Sequence, residues 1–587
     1  MSTETLYQLL PEIILLAFAT ATFVVGAFLP GREGWSWLVA GGLLLAGIAL
    51  YQQEHNPALL AARSAAVTAP ATEPEVGPAP AAAAGAEVAE PGSLAIDDFS
   101  SVVRWSVLAL GVAVVAIASR TVSGNLMTEY LGSLLLMIAG LMLVAVANDL
   151  VLVFVGLELV SIPTYVILYL GRGGDSAQEA TTKYFFLSIL SSALLLYGFS
   201  FMYGVAGSTE LSAAARALLS PAPDAARLVI FGKVALVLIF AGLGFRITLV
   251  PFHFYAPDVY QGTSHLNAGV LAVVPKIAGV TALVRIVVAG LAGPEPSLHE
   301  LARFGWGVAL TLSLVTMTLG NLVALWQQNI RRLLAYSSIA HGGYMLIGIA
   351  VGLAVAGGAS GAKTVDGIGA LLFYVLVYAV ATLGAFALLA WLGDGERQIN
   401  RVDDLAGLWR HHPWAAAAMS VFMFSLTGLP PFAGFWGKLS LFLGALGVDA
   451  GGAEASTGLR GWFLALAIVG VINAAISAGY YLRVVSVMFF RPVVSAAPGQ
   501  GGVGAAATAL ACAGLVIALG CNPAPPLDAA NSAAEAAAPA TSGAQQAARR
   551  MRPVAVPAAV SVDAAPLPAA PLPADQVPTA AGQTASR

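Results

Sequence analysis

Charged side chains are scarce in this sequence. Asp, Glu, Lys and Arg make up 10% of its 587 residues, whereas a soluble domain carries about 25%. The mean hydropathy is +0.83, and the net charge of −4 is too small to favour binding to nucleic acid. These values exclude an ordinary soluble domain and predict a protein that lies in a lipid bilayer.

Cysteine clusters and phosphate-binding motifs are also missing. The two cysteines, Cys512 and Cys521, have neither the number nor the spacing of ligands to an iron–sulfur centre or another metal. No glycine-rich phosphate loop follows a strand pattern, and no pair of intramembrane histidines has the spacing of haem ligands. We therefore expect no cofactor on this chain, and we expect that it carries no electrons.

Long apolar runs dominate what is present. Segments of about 18–25 apolar residues recur along the chain, and each is long enough to cross a bilayer as a helix. They predict an all-α polytopic membrane protein with about 14 transmembrane helices. The predicted spans are 8–29, 34–51, 101–119, 129–147, 150–170, 181–205, 228–250, 262–290, 306–327, 333–354, 367–392, 413–447, 461–489 and 502–521.

The spans alternate with two segments that are rich in Ala and Pro. Residues 52–100 and 522–587 have too little apolar bulk to offset the entropy of ordering, so we predict that both are disordered. The balance of Lys and Arg between the loops favours an N-terminus outside the cell. The predicted divisions are the first two spans in 1–51, the loop 52–100, the third span in 101–128, five spans in 129–290, five in 306–490, the last span in 491–521, and the tail 522–587.

Proline interrupts two of the spans, in LVPFHFY at 249–255 and in LPPFAGF at 429–435. A broken helix is tolerated inside a membrane only against protein or beside a water-filled cavity. The two breaks occupy corresponding places in the two sets of five spans. Because five is odd, consecutive sets enter the membrane from opposite sides, so we predict two inverted five-helix repeats.

Four ionisable residues lie inside apolar runs: Glu158, Arg246, Lys276 and Lys438. A charge at the bilayer centre costs roughly 2.5–3.5 kcal/mol, so together they indicate a path for ions or protons. Glu158 is predicted to exchange protons or to balance a nearby cation, with a structural salt bridge as the alternative. A buried lysine can gain and lose a proton, and the alternative for Lys276 is extension to the membrane surface.

For the remaining candidates, residue type leaves more than one role open. His253 and His341 can relay protons because histidine titrates near neutral pH, although a lone histidine in a helix is more often a packing residue. Arg246 keeps its proton, so we predict that it pairs with Glu158 as a permanent positive charge. A further set near span ends is assigned to anchoring at the membrane surface: Glu12, Lys233 and Arg285.

Several motifs in the same order carry a resemblance to a known family. The segment GLGFRITLVPFHFYAPDVYQGTS at 242–264 closely resembles a signature of subunit N of NADH-quinone oxidoreductase, an antiporter-like membrane subunit of respiratory complex I. Supporting matches are LLPEIILL at 9–16, GLELVSIPTYVILYL at 156–170, KYFFLSILSSALLLYG at 183–198, NIRRLLAYSSIAHGGYMLIG at 329–348 and FSLTGLPPFAGFWGKLSLF at 424–442. The likeness covers about residues 5–495.

The resemblance implies a proton-translocating subunit. The family's glutamate falls on Glu158, its two lysines on Lys276 and Lys438, and its histidines on His253 and His341. The family has a further lysine where this sequence has Arg246.

The resemblance also implies partners and a location. NADH, FMN, iron–sulfur clusters and quinone are expected on partner subunits, the neighbours are other membrane-arm subunits of complex I and the lipid bilayer, and the location is the bacterial inner membrane. The alternative is an Mrp-type cation/proton antiporter subunit, which shares the same inverted-repeat helices.

Overall fold

The computed structural model describes most of the chain, and all of the described residues belong to one structural unit. The described residues are 3–29, 34–55, 93–170, 174–211, 225–289, 291, 296–357, 359, 364–393, 399–448, 457–493 and 497–537. Within these ranges the chain is helical, and its only β pairings are isolated bridges such as Leu94 with Ala147.

Sixteen helices of ten or more residues are described. They are α1 Leu10–Phe28, α2 Trp35–Glu54, α3 Asp98–Thr121, α4 Met127–Val146, α5 Leu150–Leu170, α6 Asp175–Ala206, α7 Ala225–Ile247, α8 His265–Leu283, α9 Pro296–Ala324, α10 Ile330–Ala356, α11 Thr364–Leu392, α12 Pro413–Thr427, α13 Ala433–Leu446, α14 Thr457–Phe490, α15 Val503–Cys521 and α16 Ala524–Ala537. Shorter elements are Thr3–Gln8, Gly124–Leu126, Ala256–Gly262, Val284–Ala289, Val402–Leu405 and Leu408–His411.

The described helices agree with the predicted number of membrane spans. Thirteen are long and apolar enough to cross a bilayer, and α12 and α13 are shorter apolar helices that together form the broken fourteenth span. The other predicted break follows α7. The prediction of an all-α polytopic protein with two broken helices is therefore confirmed, whereas the inverted relation of the two sets of five spans stays a prediction. Helices α8 and α10 are almost wholly buried by the others.

The first break follows α7, and protein groups bind its freed backbone atoms. Thr248 adopts a left-handed backbone with φ of 64°, which turns the chain out of the helix. The Val250 amide donates to the Thr316 hydroxyl at 3.1 Å, and the Tyr255 hydroxyl donates to the Phe245 carbonyl at 2.9 Å. Protein groups therefore satisfy these backbone atoms at the break, as membrane depth requires.

The second break separates α12 from α13 and turns at glycine. Gly428 has φ of 92°, a conformation that favours glycine, and its amide still donates to the Phe424 carbonyl. At the start of α13, the Gly434 amide donates to the Ser425 hydroxyl at 3.1 Å. A Cβ on Gly434 would lie 1.8 Å from the Ser425 carbonyl oxygen, so only glycine allows the two half-helices to approach this closely.

The prediction that 52–100 is disordered is wrong at both of its ends. Residues up to Glu54 continue α2. The last residues of the segment are hydrogen-bonded before α3: the Ala95 amide donates to the Val146 carbonyl, and Asp97 caps α3 through Ser100. The composition of the segment does not predict this contact, because backbone hydrogen bonds form without large apolar side chains. Residues 56–92 lie outside the described residues.

The prediction that 522–587 is disordered is also wrong for its first part. Ala524–Ala537 forms α16, which packs against α11 and α3. Alanine has the highest helix propensity, and its small side chain allows helices to pack closely. The buried face of α16 consists of Ala530, Ala533, Ala534 and Ala537. The rest of the predicted tail, 538–587, lies outside the described residues.

Candidate functional site

The first cluster of predicted residues lies where α5, α6 and α7 meet. Arg246 Nη2 donates to Glu158 Oε1 at 3.0 Å, and the Ser192 hydroxyl donates to the same oxygen. The Arg246 side chain is 2% exposed and the Glu158 side chain is 23% exposed. The predicted pairing of Arg246 with Glu158 is therefore confirmed, and the carboxylate is the more accessible partner.

Arg246 is also fixed by neutral oxygens on α5. Its Nη1 donates to the Leu157 carbonyl at 3.0 Å and to the Ser161 hydroxyl. A guanidinium presents its donors in a rigid planar fork, so these bonds define its orientation. The first cluster thus holds a permanent positive charge against a carboxylate.

Lys276 on α8 is the centre of a second cluster, and its described contacts include no carboxylate. Its Nζ donates to the Ser338 hydroxyl at 2.8 Å and to the Ser338 carbonyl. The Nζ also lies 5.1 Å from the centroid of the Tyr378 ring. Lys276 is buried, so neutral oxygens and an aromatic face are what stabilise its charge. It can release its proton without leaving a buried anion unpaired.

His341 on α10 continues this second cluster. Its Nδ1 lies 2.6 Å from the Tyr374 hydroxyl and its Nε2 lies 3.1 Å from the Tyr481 hydroxyl. The Tyr378 hydroxyl donates to the Ser338 hydroxyl at 2.7 Å, and the Tyr378 ring lies 5.0 Å from the His341 ring. Because hydroxyls both donate and accept, protons can pass within each hydrogen-bonded set, whereas a ring contact joins the Tyr378 set to the His341 set.

Lys438 on α13 lies at the second break. Its Nζ donates to the carbonyls of Leu426 and Thr427, each at 2.9 Å, and lies 4.7 Å from the centroid of the Tyr344 ring. The last carbonyls of a helix lack partners within the helix and carry partial negative charge. Lys438 therefore neutralises the C-terminal end of α12 across the break.

Tyr344 connects the surroundings of Lys438 with those of His341. Its ring lies 6.0 Å from the His341 ring, and its hydroxyl accepts a hydrogen bond from Asn321 Nδ2 at 3.4 Å. Asn321 in turn contacts Asn473 at 3.2 Å and accepts from the Tyr480 hydroxyl at 2.9 Å. These buried amides carry no charge, so the pattern of charges inside apolar runs does not reveal them; an asparagine inside an apolar run is the available signal.

The two clusters approach each other through tightly packed backbone. A Cβ on Gly279 of α8 would lie 3.2 Å from the Arg246 Cβ, and a Cβ on Gly342 of α10 would lie 2.8 Å from the Ile247 carbonyl oxygen. The end of α7 therefore packs closely against α8 and α10. His253 lies half-buried in the first break. The hydrogen bonds described for the two clusters do not include it.

Two of the residues assigned to membrane anchoring form buried ion pairs instead. Glu12 binds Arg104 through two hydrogen bonds of 2.9 and 2.8 Å, and both side chains are at most 3% exposed. Arg285 binds Asp97 through bonds of 2.6 and 2.7 Å. The anchoring prediction is therefore wrong for these two residues. The sequence did not reveal the ion pairs because the partners lie far away along the chain.

Asp258 is the centre of a charged group outside the spans. It pairs with Lys183 at 2.8 Å and with Arg332 at 2.6 Å, and its side chain is 39% exposed. Burial opposes ionisation of this carboxyl, but the two hydrogen-bonded cations outweigh it and hold the pKa of Asp258 below its ordinary value. These pairs join α6, the short helix Ala256–Gly262 and α10 near the first break.

Within the described ranges, no group of three or more His, Cys, Asp or Glu side chains is placed to hold a metal ion. Of the two cysteines, Cys512 is buried and Cys521 is exposed, and neither forms a disulfide.

The chain is similar in sequence to known membrane subunits. A family model described as "NADH:quinone oxidoreductase/Mrp antiporter, TM" matches residues 147–453, which include Glu158, Arg246, Lys276 and Lys438. The chain is 36% identical over 420 residues to the NADH-quinone oxidoreductase subunit N of Anaeromyxobacter sp. (strain Fw109-5), over 69% of this chain and 77% of that protein.

Two solved structures share the fold. A chain of respiratory complex I from Thermus thermophilus with bound aureothin is 30% identical, with a TM-score of 0.66 over 89% of this chain and 99% of that chain. A chain of the Mrp complex from Dietzia sp. DQ12-45-1b is 22% identical, with a TM-score of 0.67 over 91% and 97%. The second likeness concerns the fold alone.

Proposed function

This chain belongs to the NADH-quinone oxidoreductase subunit N family, and from that premise we propose that it translocates protons as a membrane subunit of a NADH:quinone oxidoreductase, respiratory complex I. It is thereby part of an enzyme complex, and the redox reaction takes place on other subunits. One observation supports the proposal. Hydrogen bonds join the buried groups Lys276, Ser338 and Tyr378, the Tyr378 ring lies 5.0 Å from the His341 ring, and the contacts described for these groups include no carboxylate.

Each predicted residue has a proposed role in this transfer. Lys276 exchanges protons through the hydroxyls of Ser338 and Tyr378, and His341 exchanges them with the hydroxyls of Tyr374 and Tyr481. Lys438 exchanges protons at the second break. Glu158 is the accessible carboxylate at the other cluster, and His253 is a further relay in the first break. The burial of both lysines supports these roles, because burial in apolar surroundings allows a lysine to lose its proton.

Arg246 has a different proposed role. It keeps its proton at any working pH, so it sets the electric field around Glu158 and leaves proton transfer to the lysines, the histidines and water. Its 3.0 Å bond to Glu158 and its fixed orientation against α5 support this role.

The proposed setting is the bacterial inner membrane, with the N-terminus outside. NADH, FMN, iron–sulfur clusters and quinone belong to partner subunits, and other membrane-arm subunits of complex I are the neighbours. The 23% exposure of Glu158 supports a neighbouring subunit, because a carboxylate facing lipid is costly. Exposed apolar side chains surround it on α5, among them Val155 and Ile162.

The Mrp-type antiporter is the less favoured candidate. The Mrp chain is similar at 22% identity, whereas subunit N of Anaeromyxobacter sp. is similar at 36%. No contact in the described residues favours the antiporter over complex I.

The proposal is tested by removing one group from each cluster. Lys276→Ala should reduce proton pumping about tenfold or more, the scale of a lost proton-transfer group, while the complex still assembles. Glu158→Gln should reduce pumping less, because glutamine keeps an acceptor for Ser192 and Arg246. Pumping and NADH:quinone turnover are measured in reconstituted vesicles.

A matched lysine outside the second cluster controls for the loss of charge. Lys233 on α7 pairs with Glu300 and is 33% exposed, so Lys233→Ala should pump like the unaltered complex. Full pumping at full turnover in both Lys276→Ala and Glu158→Gln would contradict the assignment of these residues.

A further inference from the structure

A cavity of about 560 Å³ lies among α3, α8, α11, α15 and α16. It lies behind the second cluster: Ile277 and Phe373 line it, and each is the chain neighbour of a residue of that cluster, Lys276 or Tyr374. The cavity is separate from the hydrogen-bonded groups themselves.

The lining of the cavity has few groups that can form hydrogen bonds with water. Most of the side chains are Ala, Val, Leu, Ile and Phe. The Ser106 hydroxyl donates to the Val102 carbonyl at 2.7 Å, and the Thr508 hydroxyl faces the Ala113 carbonyl at 3.5 Å. An apolar cavity stays dry because a water molecule needs several polar partners. An empty space of this size would also lose the dispersion contacts of its lining.

The mouth of the cavity opens at membrane depth. Val112 and Leu515 both line it, and they are 52% and 43% exposed. Each lies near the middle of its helix, α3 or α15, where the surrounding medium of a spanning protein is hydrocarbon. The molecules that reach this mouth are therefore the hydrocarbon chains of the bilayer.

The volume fits such a chain. An apolar cavity of about 150 Å³ holds benzene, with six carbons, so about 560 Å³ holds roughly two dozen carbons by the same ratio. We propose that this cavity binds an acyl chain of a membrane phospholipid, and that the C-terminal helix α16 closes one end of the site.

The position of α16 supports the second part of this proposal. Pro526, Ala529 and Ala530 of α16 line the cavity, while Asn531 packs against Gly369 of α11, where an added Cβ would lie 2.0 Å from Asn531 Oδ1. The absence of a side chain on Gly369 therefore brings α16 over the end of the cavity.

A bound acyl chain would also act as an apolar wall behind Lys276. It would keep water from entering the second cluster through α8 and α11, so protons would stay on the hydroxyl and histidine groups. This second role depends on the proposed function, whereas binding of the acyl chain does not.

The test is photochemical labelling of the assembled complex. Cells are grown with a fatty acid that carries a diazirine in its chain, and the complex is purified, illuminated and analysed by mass spectrometry of its peptides. Helix α8 is fully buried by other helices, so the bulk bilayer cannot reach it. We expect adducts with the mass of a phospholipid between Ile277 and Thr281, both of which line the cavity.

Two variants of α15 test whether the acyl chain enters the cavity beside this helix. Ala511 is exposed and lines the cavity, so Ala511→Trp should fill it and lower labelling of α8 severalfold. Ile517 is 43% exposed and outside the lining, so Ile517→Trp should leave labelling unchanged. Co-purification of the other subunits verifies assembly of both variants.

The outcomes separate this proposal from the proposed function, because labelling needs no proton pumping. Absence of phospholipid adducts on α8 in the unaltered complex would overturn the acyl-chain site, and so would equal labelling in Ala511→Trp. Adducts only of the free fatty acid would also overturn it.

Discussion

In both broken spans, backbone carbonyls at the end of a helix need hydrogen-bond donors, and the two breaks supply them with different chemical groups. At the first break, neutral hydroxyls bind the end of α7: Tyr255 donates to the Phe245 carbonyl, and Ser191 donates to the Gly242 carbonyl at 2.6 Å. At the second break, the ammonium of Lys438 binds the end of α12. The cation near the first break, Arg246, faces a carboxylate instead.

This difference predicts a fixed charge at Arg246 and an exchangeable one at Lys438. Arg246 and Glu158 form an ion pair in which removal of either charge leaves the other unpaired, and that is costly in a buried place. Lys438 faces carbonyl dipoles, which remain neutral if the ammonium loses its proton. The sequence places a cation close to each break, but only the second is placed to change its charge at low cost.

Among the substitutions that test this difference, those of Lys438 should have the largest effect on proton pumping. Lys438→Ala leaves the carbonyls of Leu426 and Thr427 without donors, which costs about 1–3 kcal/mol for each buried group, and it removes a proton carrier. We expect poor stability and a loss of pumping of about tenfold or more. Proton pumping per NADH oxidised in vesicles is the measurement.

Lys438→Arg separates the two causes. Arginine keeps a positive charge and donors for the α12 carbonyls but does not release its proton. The complex should therefore assemble normally and still pump poorly. Normal pumping by Lys438→Arg would mean that Lys438 only stabilises the break.

At Arg246, unlike at Lys438, an exchange between arginine and lysine should preserve proton pumping. Arg246→Lys keeps the charge beside Glu158 and should preserve most of the pumping, although it loses part of the fork to Leu157 and Ser161. Arg246→Ala removes the charge and should impair pumping severalfold. The same vesicle assay compares both variants, and wild-type pumping by Arg246→Ala would show that Arg246 neither relays protons nor sets the field.

The C-terminal helix α15 contacts both half-helices of the second break. Trp436 of α13 donates to the Gly520 carbonyl at 2.9 Å, and α16 follows α15 directly. A chain that ends after Asn522 loses α16, whose four buried alanines contribute about 0.8 kcal/mol per methyl group at most. We expect a lower melting temperature and a smaller loss of pumping than for Lys438→Ala.

A longer truncation product is the control for this experiment. A chain that ends after Ala537 keeps every contact described for α16, so its melting temperature should match that of the full chain. Equal stability of the shorter chain, ending after Asn522, would show that α16 contributes nothing to the bundle.

The smallest effect is expected for Asp258→Asn beside the first break. The ion pairs of Asp258 are partly exposed, and such pairs contribute about 0.2–1 kcal/mol each. Because the folded state lowers the pKa of Asp258, its contribution is present at neutral pH and is lost as the pH falls through that lowered value. The difference in melting temperature between variant and wild type should therefore shrink in acid.

Much of the fold could be predicted from the sequence because apolar run length responds to a simple constraint. Each span needs enough apolar residues to cross the bilayer, and proline marks a break directly. The pairing of Glu158 with Arg246 was also predictable, because two opposite charges inside a membrane need each other. Their chemical roles still await the tests above.

Other parts of the site depended on distant partners. Arg104 and Arg285 bind carboxylates that lie far away in the sequence, and no local pattern identifies such a partner. The α16 segment was predicted as disordered because it lacks large apolar side chains, yet an alanine-rich helix can pack against α11 and α3 when the bundle offers a close-fitting surface.

The sequence by itself determined that this protein crosses the membrane many times, that two spans are broken, and which residue types can carry protons. The reason is local: hydropathy, proline and charge act on each segment separately. Only the tertiary structure decided which cation faces a carboxylate and which faces a helix end, because those partners are brought together by helix packing. It also decided where an apolar cavity remains, since a gap belongs to several helices at once.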